Sequence, residues 1–420
     1  MSSKTNIVKH YETNSIKCIK FGNMQLVERH IFVGNKAMEQ ICHNAGLLQN
    51  FTNYHIKQAV LGYQERFSEY EFTGLCAEFS QPDYKNLPAQ TAQQVVKKVF
   101  KNWKGFFAAM KARTKDPSKF KGKPKYPGYK KGKKLALVTF TSQQIKIKDG
   151  YIHFPKATNI EPVKTLHDNI AQVRLSPQTG CIIAEVVYEQ QEVKAPADEK
   201  LFLSIDLGVN NLATAISNTG LPPFIINGKQ LKSVNQFYNK KKAELQTHIG
   251  GKGASRRINL LTFRRNKIVE DYLHKTSSYI VDYCVKNKIS IIVVGKNKQW
   301  KTNINIGKVN NQNFVQIPHA KLIGKLAYKA QLVGIKIVEQ EESYTSKVDH
   351  LAGEKMEHHE RYSGTRVSRG LFKSATGKVL NADVNGAIGI ALKSNVADES
   401  FVKMIVSRGL AFRPCKICFC

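Results

Sequence analysis

Residues 201–220, LFLSIDLGVNNLATAISNTG, constrain the fold more than any other stretch of the chain. They read as a buried apolar strand over 201–205 that delivers one carboxylate, Asp206. Gly208 and Asn210 then turn the chain into a second strand at 212–217, and Thr219 with Gly220 closes a hairpin. An ionised carboxylate in apolar surroundings is costly unless it is paired or bound to a metal ion. Asp206 is therefore either a turn-initiating residue at a strand end or a metal ligand, and these residues alone leave both open. A second stretch, ISIIVV at 289–294, is apolar on both faces. That is the pattern of a central or parallel strand covered on both sides. It ends Gly295-Lys296-Asn297, with no carboxylate.

A helix over 321–332 leads to a short strand at 334–338, which runs into an acidic cluster holding Glu341 and Glu342. Further on, Asn381-Ala382-Asp383 precedes an apolar helix at 387–392. Asp383 is either a helix cap or a third carboxylate of one site. Between the hairpin and ISIIVV, residues 229–247 and 255–286 read as two basic helices. Their connection is glycine-rich, and Arg256, Arg257, Arg264 and Arg265 follow it. Those arginines fit either a phosphate backbone or a solvated helical hairpin.

Charge narrows the partners. The 420 residues carry 65 Lys+Arg against 32 Asp+Glu, a net charge of +33. The excess is spread along the chain, which points to a polyanion, because neutralising phosphates releases counterions. No run reaches the ~20 apolar residues of a membrane span, and the first ten residues lack the apolar core of a signal peptide. The eight Cys are scattered except at the end, so a disulfide framework is not expected and a reducing cytoplasm is. The densest basic stretch, KDPSKFKGKPKYPGYKKGKK at 115–134, is broken by Pro and Gly. It sets Phe120, Tyr126 and Tyr129 among lysines including Lys121, Lys123, Lys125, Lys130 and Lys131. Lysines meet phosphates while aromatic rings stack on bases or sugars, so nucleic-acid contact is expected here rather than a linker.

The N-terminal half divides by pattern. Weak alternation around 15–21 fits one or two strands. Helical spacing runs from about 34 to 80 and again over 87–113. Five short strands with turns between them follow, from 135 to 193, and they suggest a small barrel or sandwich. Residues 189–200 are polar and mark the main boundary.

Strand-Asp206, a second strand ending in acid, and Asp383 at a helix start make three separated carboxylate positions in one basic domain. Phosphodiester hydrolysis on a polyanion needs local positive charge. Two Mg²⁺ ions roughly 3.5–4 Å apart supply it, and Mg²⁺ takes hard oxygen ligands.

SIDLGVNNLAT resembles the first RuvC motif of the TnpB proteins, which transposons encode and which are related to the type V CRISPR effectors. Four further stretches resemble the same family: KPKYPGYKKGKK; VGKNKQWKTNINIGKVNNQNFVQIPHAKL; EESYTSK; and RGLFKSATGKVLNADVNGAIGI. The resemblance implies an α/β RNase H-like (RuvC) nuclease domain preceded by a helical recognition domain and a small wedge β-barrel. On that basis residues 1–30 start the barrel and 31–115 form the recognition domain. Residues 116–193 are the basic segment and the rest of the barrel. Residues 200–395 are the nuclease domain, with a helical insertion at about 229–286, and 396–420 are a C-terminal tail. The implied function is RNA-guided, Mg²⁺-dependent cleavage of double-stranded DNA beside a short motif. The partners are a guide RNA and the target DNA, with no membrane. The implied location is the cytoplasm, on the nucleoid during targeting.

Two departures from the family pattern matter. The strand at 289–294 would be followed by the catalytic Glu, and Gly295 stands there instead. Either the protein is an RNA-guided DNA-binding repressor that does not cut, or another carboxylate has taken over. Glu342 is the preferred replacement, with Glu341 second, so the expected catalytic and Mg²⁺-binding set is Asp206, Glu342 and Asp383. Second, residues 347–382 lack the four Cys of the family's zinc ribbon, and the CxxC at Cys415 and Cys418 follows the last motif. No structural zinc is expected.

Overall fold

The structure is a computed structural model that describes residues 24–191, 193, 201–251, 253–296, 317–368 and 370–419. The strands expected around 15–21 and most of the motif at 294–322 lie outside the described residues. Strand β1 (Met24–Phe32) is followed by helix α1 (Lys36–Val60), whose Asn35 cap accepts from Met38 N at 3.0 Å. Helix α2 (Glu69–Glu78) starts on a Ser68/Glu71 capping box. The one-turn α3 (Pro82–Lys85) leads to α4 (Ala89–Lys115). Helices α1 and α4 each bury one face, with Met38, Ile41, Ala45 and Leu48 on the first and Val95, Val96, Val99 and Trp103 on the second. That is the helical period read from the sequence.

Six strands follow: β2 (Val138–Thr141), β3 (Lys146–Lys148), β4 (Tyr151–His153), β5 (Val163–Lys164), β6 (Ile170–Gln178) and β7 (Cys181–Gln190). The expected barrel is instead two sheets, β1-β7-β6-β2 and β3-β4-β5, which do not join into a ring among the described residues. The cause is local. A 3-10 turn at Ser142–Gln144, capped reciprocally by Thr141 and Gln144, ends β2 and sends β3 to the other sheet. Phe140 and Phe154 pack between the two at 5.1 Å. Helices and sheets share one apolar core, from Met38 and Val96 to Phe140, Leu175 and Val186. Residues 115–116 therefore mark a change of secondary structure, not of core.

The second half contains β8 (Phe202–Asp206), β9 (Asn211–Ser217), β10 (Phe224–Asn227), α5 (Lys229–Thr247), α6 (Arg256–Lys286), β11 (Ile291–Gly295), α7 (His319–Leu332) and β12 (Lys336–Gln340). It ends with β13 (Thr365–Ser368), β14 (Leu371–Lys373), β15 (Val379–Asn381), α8 (Ala382–Lys393), α9 (Glu399–Ser407) and β16 (Cys415–Ile417). One sheet has the order β12-β11-β8-β9-β10-β16. Strands β8, β9 and β10 are antiparallel, while β11 and β12 run parallel to β8. This is the strand order of an RNase H-like sheet. Every residue of β11 is buried. Leu203, Ile205, Ile292 and Val294 face the core under α6 and α7, and Phe202, Ile291 and Val293 face the core under α8 and α9.

Residues 396–420 are not a separate tail. Strand β16 pairs in parallel with β10, Cys415 N donates to Pro223 O at 2.8 Å, and α9 puts Phe401 and Ile405 into the core. Three residues reading CKI carry no strand period, so the backbone of β10 decides the pairing. No helix among the described residues is long and apolar enough to cross a membrane.

Candidate active site

Parallel pairing brings the C-terminal ends of β8, β11 and β12 to one edge, with Val294 opposite Ile205 and Gly295 opposite Gln340. Asp206 closes β8 at that edge. The chain leaving β12 turns at 342–345, where Thr345 N and Oγ1 donate to Glu342 O at 3.2 and 2.9 Å. The turn carries the Glu342 side chain back over Gly295. A Cβ at position 295 would overlap Glu342 Oε1 and stand 2.5 Å from Ile390 Cδ1. The carboxylate thus occupies the room that a side chain on β11 would take.

Helix α8 supplies the third carboxylate. Asn381 caps it, accepting from Asp383 N at 2.9 Å and Val384 N at 3.3 Å, which fixes Asp383 in the first turn. One turn on, a Cβ on Gly386 would stand 2.6 Å from Asp206 Oδ2, so only glycine lets the helix lie this close to β8. Asn211 Nδ2 donates to Asp383 Oδ2 at 2.7 Å, and Arg366 Nη2 lies 3.9 Å from Asp383 Oδ1. Asn385 Nδ2 donates to Val348 O and His350 Nε2 to Thr345 O, both at 2.8 Å, which clamps the turn bearing Glu342 onto α8.

The electrostatics are unbalanced. Dense protein surroundings push the Asp206 carboxyl well above its usual range, and the Asp383 and Glu342 charges add to the shift; Arg366 and the Leu207 N–H oppose it. Burial, then the Glu341 charge, pushes Glu342 up to about 7. Glu341 turns the other way. It pairs with Lys393 Nζ at 2.6 Å and accepts from Ser343 N at 2.9 Å and from Ser343 Oγ. Those contacts hold it at about 2. The two glutamates, alike in sequence, thus have opposite surroundings, and Glu342 is the one whose charge acts on Asp206. Among the described residues no three or more His, Cys, Asp or Glu side chains stand close enough together to hold a metal ion as placed. The donor set is an open one of carboxylate oxygens with little cationic compensation. That chemistry fits hard divalent cations that keep water or substrate oxygens as further ligands.

The basic residues form an interface of their own. Segment 127–136 lies along α1. Asn53 Nδ2 donates to Pro127 O at 3.1 Å, Asn50 exchanges bonds with Lys130 N and O at 2.7 and 3.0 Å, and Ala136 N donates to Cys42 O at 2.9 Å. Gly46 gives the Lys134 carbonyl room to approach. Lys121, Lys123, Lys125 and Lys131 are exposed and Lys130 is half-buried. Tyr126 rests on Trp103 and Phe106 at 5.6 and 5.0 Å, and Lys57 lies 5.9 Å over the Tyr129 ring. Arg256, Arg257 and Arg264 are exposed. Arg265 is not available in the same way: its Nε donates to Asn235 Oδ1 at 2.8 Å and its guanidinium lies 5.7 Å over Tyr238. Its expected phosphate contact gives way to holding α5 against α6. Lys133 and Arg256, far apart in sequence, line one cleft of about 850 Å³ between the first sheet and α6, together with Glu39, which pairs with Lys133 at 3.4 Å.

Asn211, Arg366, Asn385 and Gly386 escaped the sequence reading. The asparagines stand in turn-like contexts, and the glycine matters only through the helix–strand approach.

A family model described as a probable transposase, OrfB_IS605, matches residues 185–301, and one described as the Cas12f1-like TNB domain matches 319–390. Over those two stretches the chain is similar to transposase and Cas12f1-like sequences. It is 31% identical over 147 residues to the CRISPR-associated endodeoxyribonuclease Cas12f1 of Sulfoacidibacillus thermotolerans, covering 34% of this chain and 32% of that one. It is 22% identical over 187 residues to a TnpB-like protein of Methanocaldococcus jannaschii, covering 41% of this chain and 64% of that one. The matches thus span from a third to just under two thirds of those relatives. The structure of the mini-RNA-guided endonuclease CRISPR-Cas_phi3 aligns with a TM-score of 0.53 at 10% identity, over 91% of this chain and 94% of that one. That likeness is one of fold, a RuvC-containing nuclease fold.

Proposed function

We propose that this chain is an RNA-guided, Mg²⁺-dependent DNA endonuclease whose catalytic glutamate has moved from the end of β11 to Glu342. One observation carries the reading: the Glu342 carboxylate lies over Gly295, on the strand beside Asp206, and its charge and that of Asp383 both act on Asp206. The Cas12f1 and Cas_phi relatives, described as an endodeoxyribonuclease and an RNA-guided endonuclease, support the activity and the RNA partner. The exposed lysines of 121–131 and the exposed Arg256, Arg257 and Arg264 of α6 are the surfaces for guide RNA and target DNA. Asp206, Glu342 and Asp383 would hold two Mg²⁺ ions, which when bound activate a water and stabilise the leaving oxygen. The chain's own part is positioning. Asn211 and Arg366 orient Asp383, and the 342–345 turn aims Glu342.

The test is cleavage by the full chain loaded with guide RNA, on guide-matched duplex with randomised flanks, in Mg²⁺ or EDTA. Cutting is expected in Mg²⁺ alone. Glu342→Gln should lower its rate about a thousandfold, while Glu341→Gln stays within a few-fold of the parent. Guide-dependent binding without any cut would favour the second reading, a DNA-binding repressor, which the glycine at 295 motivates. Undiminished cutting by Glu342→Gln would refute the relocation.

A further inference from the structure

We propose that the groove between α1, α4 and the 61–68 connection is a slot for one unpaired nucleobase of a single-stranded nucleic acid. The cavity is about 170 Å³, below the ~300–1,000 Å³ of a drug-sized site and suited to one flat ring system. Its walls are Phe67, Phe72, Phe100, Trp103 and Phe107, with His55. Phe72 and Trp103 are buried and immobile walls. Trp103 Nε1 donates to Asn53 Oδ1 at 2.8 Å, and Phe72 and Phe100 stand 6.0 Å apart with their planes tilted by 59°. Phe67 and Phe107 are 38% and 47% exposed and form the mouth.

Charge selects the occupant. Arg66 and Lys104 line the slot, and among the described residues lining it none is acidic. An apolar peptide side chain would need no cations, whereas a base arrives with phosphates on either side. Position agrees. Asn53, which locks Trp103, also holds Pro127 O at 3.1 Å, and Tyr126 packs on Trp103 at 5.6 Å. The slot therefore lies next to the exposed lysines of 121–131. Tyr54, Tyr63 and Tyr70 are themselves exposed in the same helical block, and exposed rings can serve as stacking platforms, although Glu65, Glu69 and Glu71 flank the last two. A base inside a duplex is already stacked and cannot enter, so the occupant is unpaired.

Trp103 and Trp300 are the two tryptophans of the chain, so a Trp300→Phe background makes Trp103 the reporter. The full chain, without Mg²⁺ or any cutting step, is titrated with single strands of about 12 nucleotides. The probes are DNA, RNA, an abasic DNA strand of equal charge, and a DNA duplex. Failure here is thereby separable from failure of the nuclease reading. Saturable quenching by the DNA or RNA strand, and none by the abasic strand, is expected; the stronger quencher names the source of the base. Phe107→Ala should abolish the quench and weaken binding about tenfold, and Phe107→Tyr should retain both. Quenching by the abasic strand, quenching by duplex alone, or a Phe107→Ala protein that quenches and binds as before would each overturn the proposal.

Discussion

Glu270 on α6 and Asp206 on β8 are both carboxylates drawn into the protein, yet their surroundings are opposite. Lys325 Nζ stands 2.6 Å from Glu270, Arg29 3.5 Å, and Lys321 and His274 3.8 Å. Burial alone would raise Glu270, but the Lys325 bond and the neighbouring cations outweigh it and hold the carboxyl below its ordinary range. Burial lowers Lys325, and the Glu270 bond offsets part of that; the 2.6 Å geometry marks a formed pair. Asp206 has two carboxylates for neighbours and one guanidinium at the margin. A chain of charge +33 thus crowds cations around a carboxylate that ties β1 to α6 and α7, and withholds them from the one at the sheet edge. A structural carboxylate is compensated by the fold. The carboxylate at the sheet edge is left uncompensated, as the proposed Mg²⁺ ligand would be.

Removing one partner from the compensated cluster should cost most. Glu270→Ala leaves Lys325, only 9% exposed at its side chain, without its closest anion. The expected loss is about 2–3 kcal/mol, below the ~3–5 kcal/mol of a fully buried broken pair, because Glu270 keeps some solvent. Thermal or urea unfolding measures it, and an unchanged midpoint would break the contrast. At the sheet edge the sign reverses. Asp206→Asn relieves repulsion and should raise metal-free stability by about 1–2 kcal/mol while abolishing cutting. Mg²⁺ should raise the parent's melting temperature but not that of the variant.

A further effect is in pH. A carboxyl lowered by folding, as in Glu270, contributes stability above its unfolded value that is lost as pH falls through its folded value. Glu342 is raised from 4.5 to about 7, so the folded state binds more protons across that window and stability falls as pH rises through it. Metal-free stability in EDTA should therefore decline from pH 4.5 to 7, and Glu342→Gln should flatten that slope. A slope that survives the substitution would place the titrating group elsewhere.

Much of the frame was legible in the residues. ISIIVV announced a strand covered on both faces because five apolar side chains interrupted only by Ser290 leave no face for water, and β11 is buried throughout. Asp206 stood out because an apolar strand seldom ends in charge without a reason. Arg265 misled because a basic helix looks the same whether an arginine meets phosphate or an Asn and a Tyr on the next helix. The tail misled because edge pairing is a property of the backbone it meets.

The sequence by itself determined the strand order's raw material, the basic surface and the acidic positions, since these follow from local period and charge. Tertiary structure decided which of two adjacent glutamates faces Gly295 and which pairs with Lys393. Lys393 draws Glu341 outward, and the missing side chain at Gly295 leaves room for Glu342. That choice rests on an ion pair across 52 residues and on a volume at the end of another strand. Neither is encoded in the neighbourhood of Glu341 and Glu342.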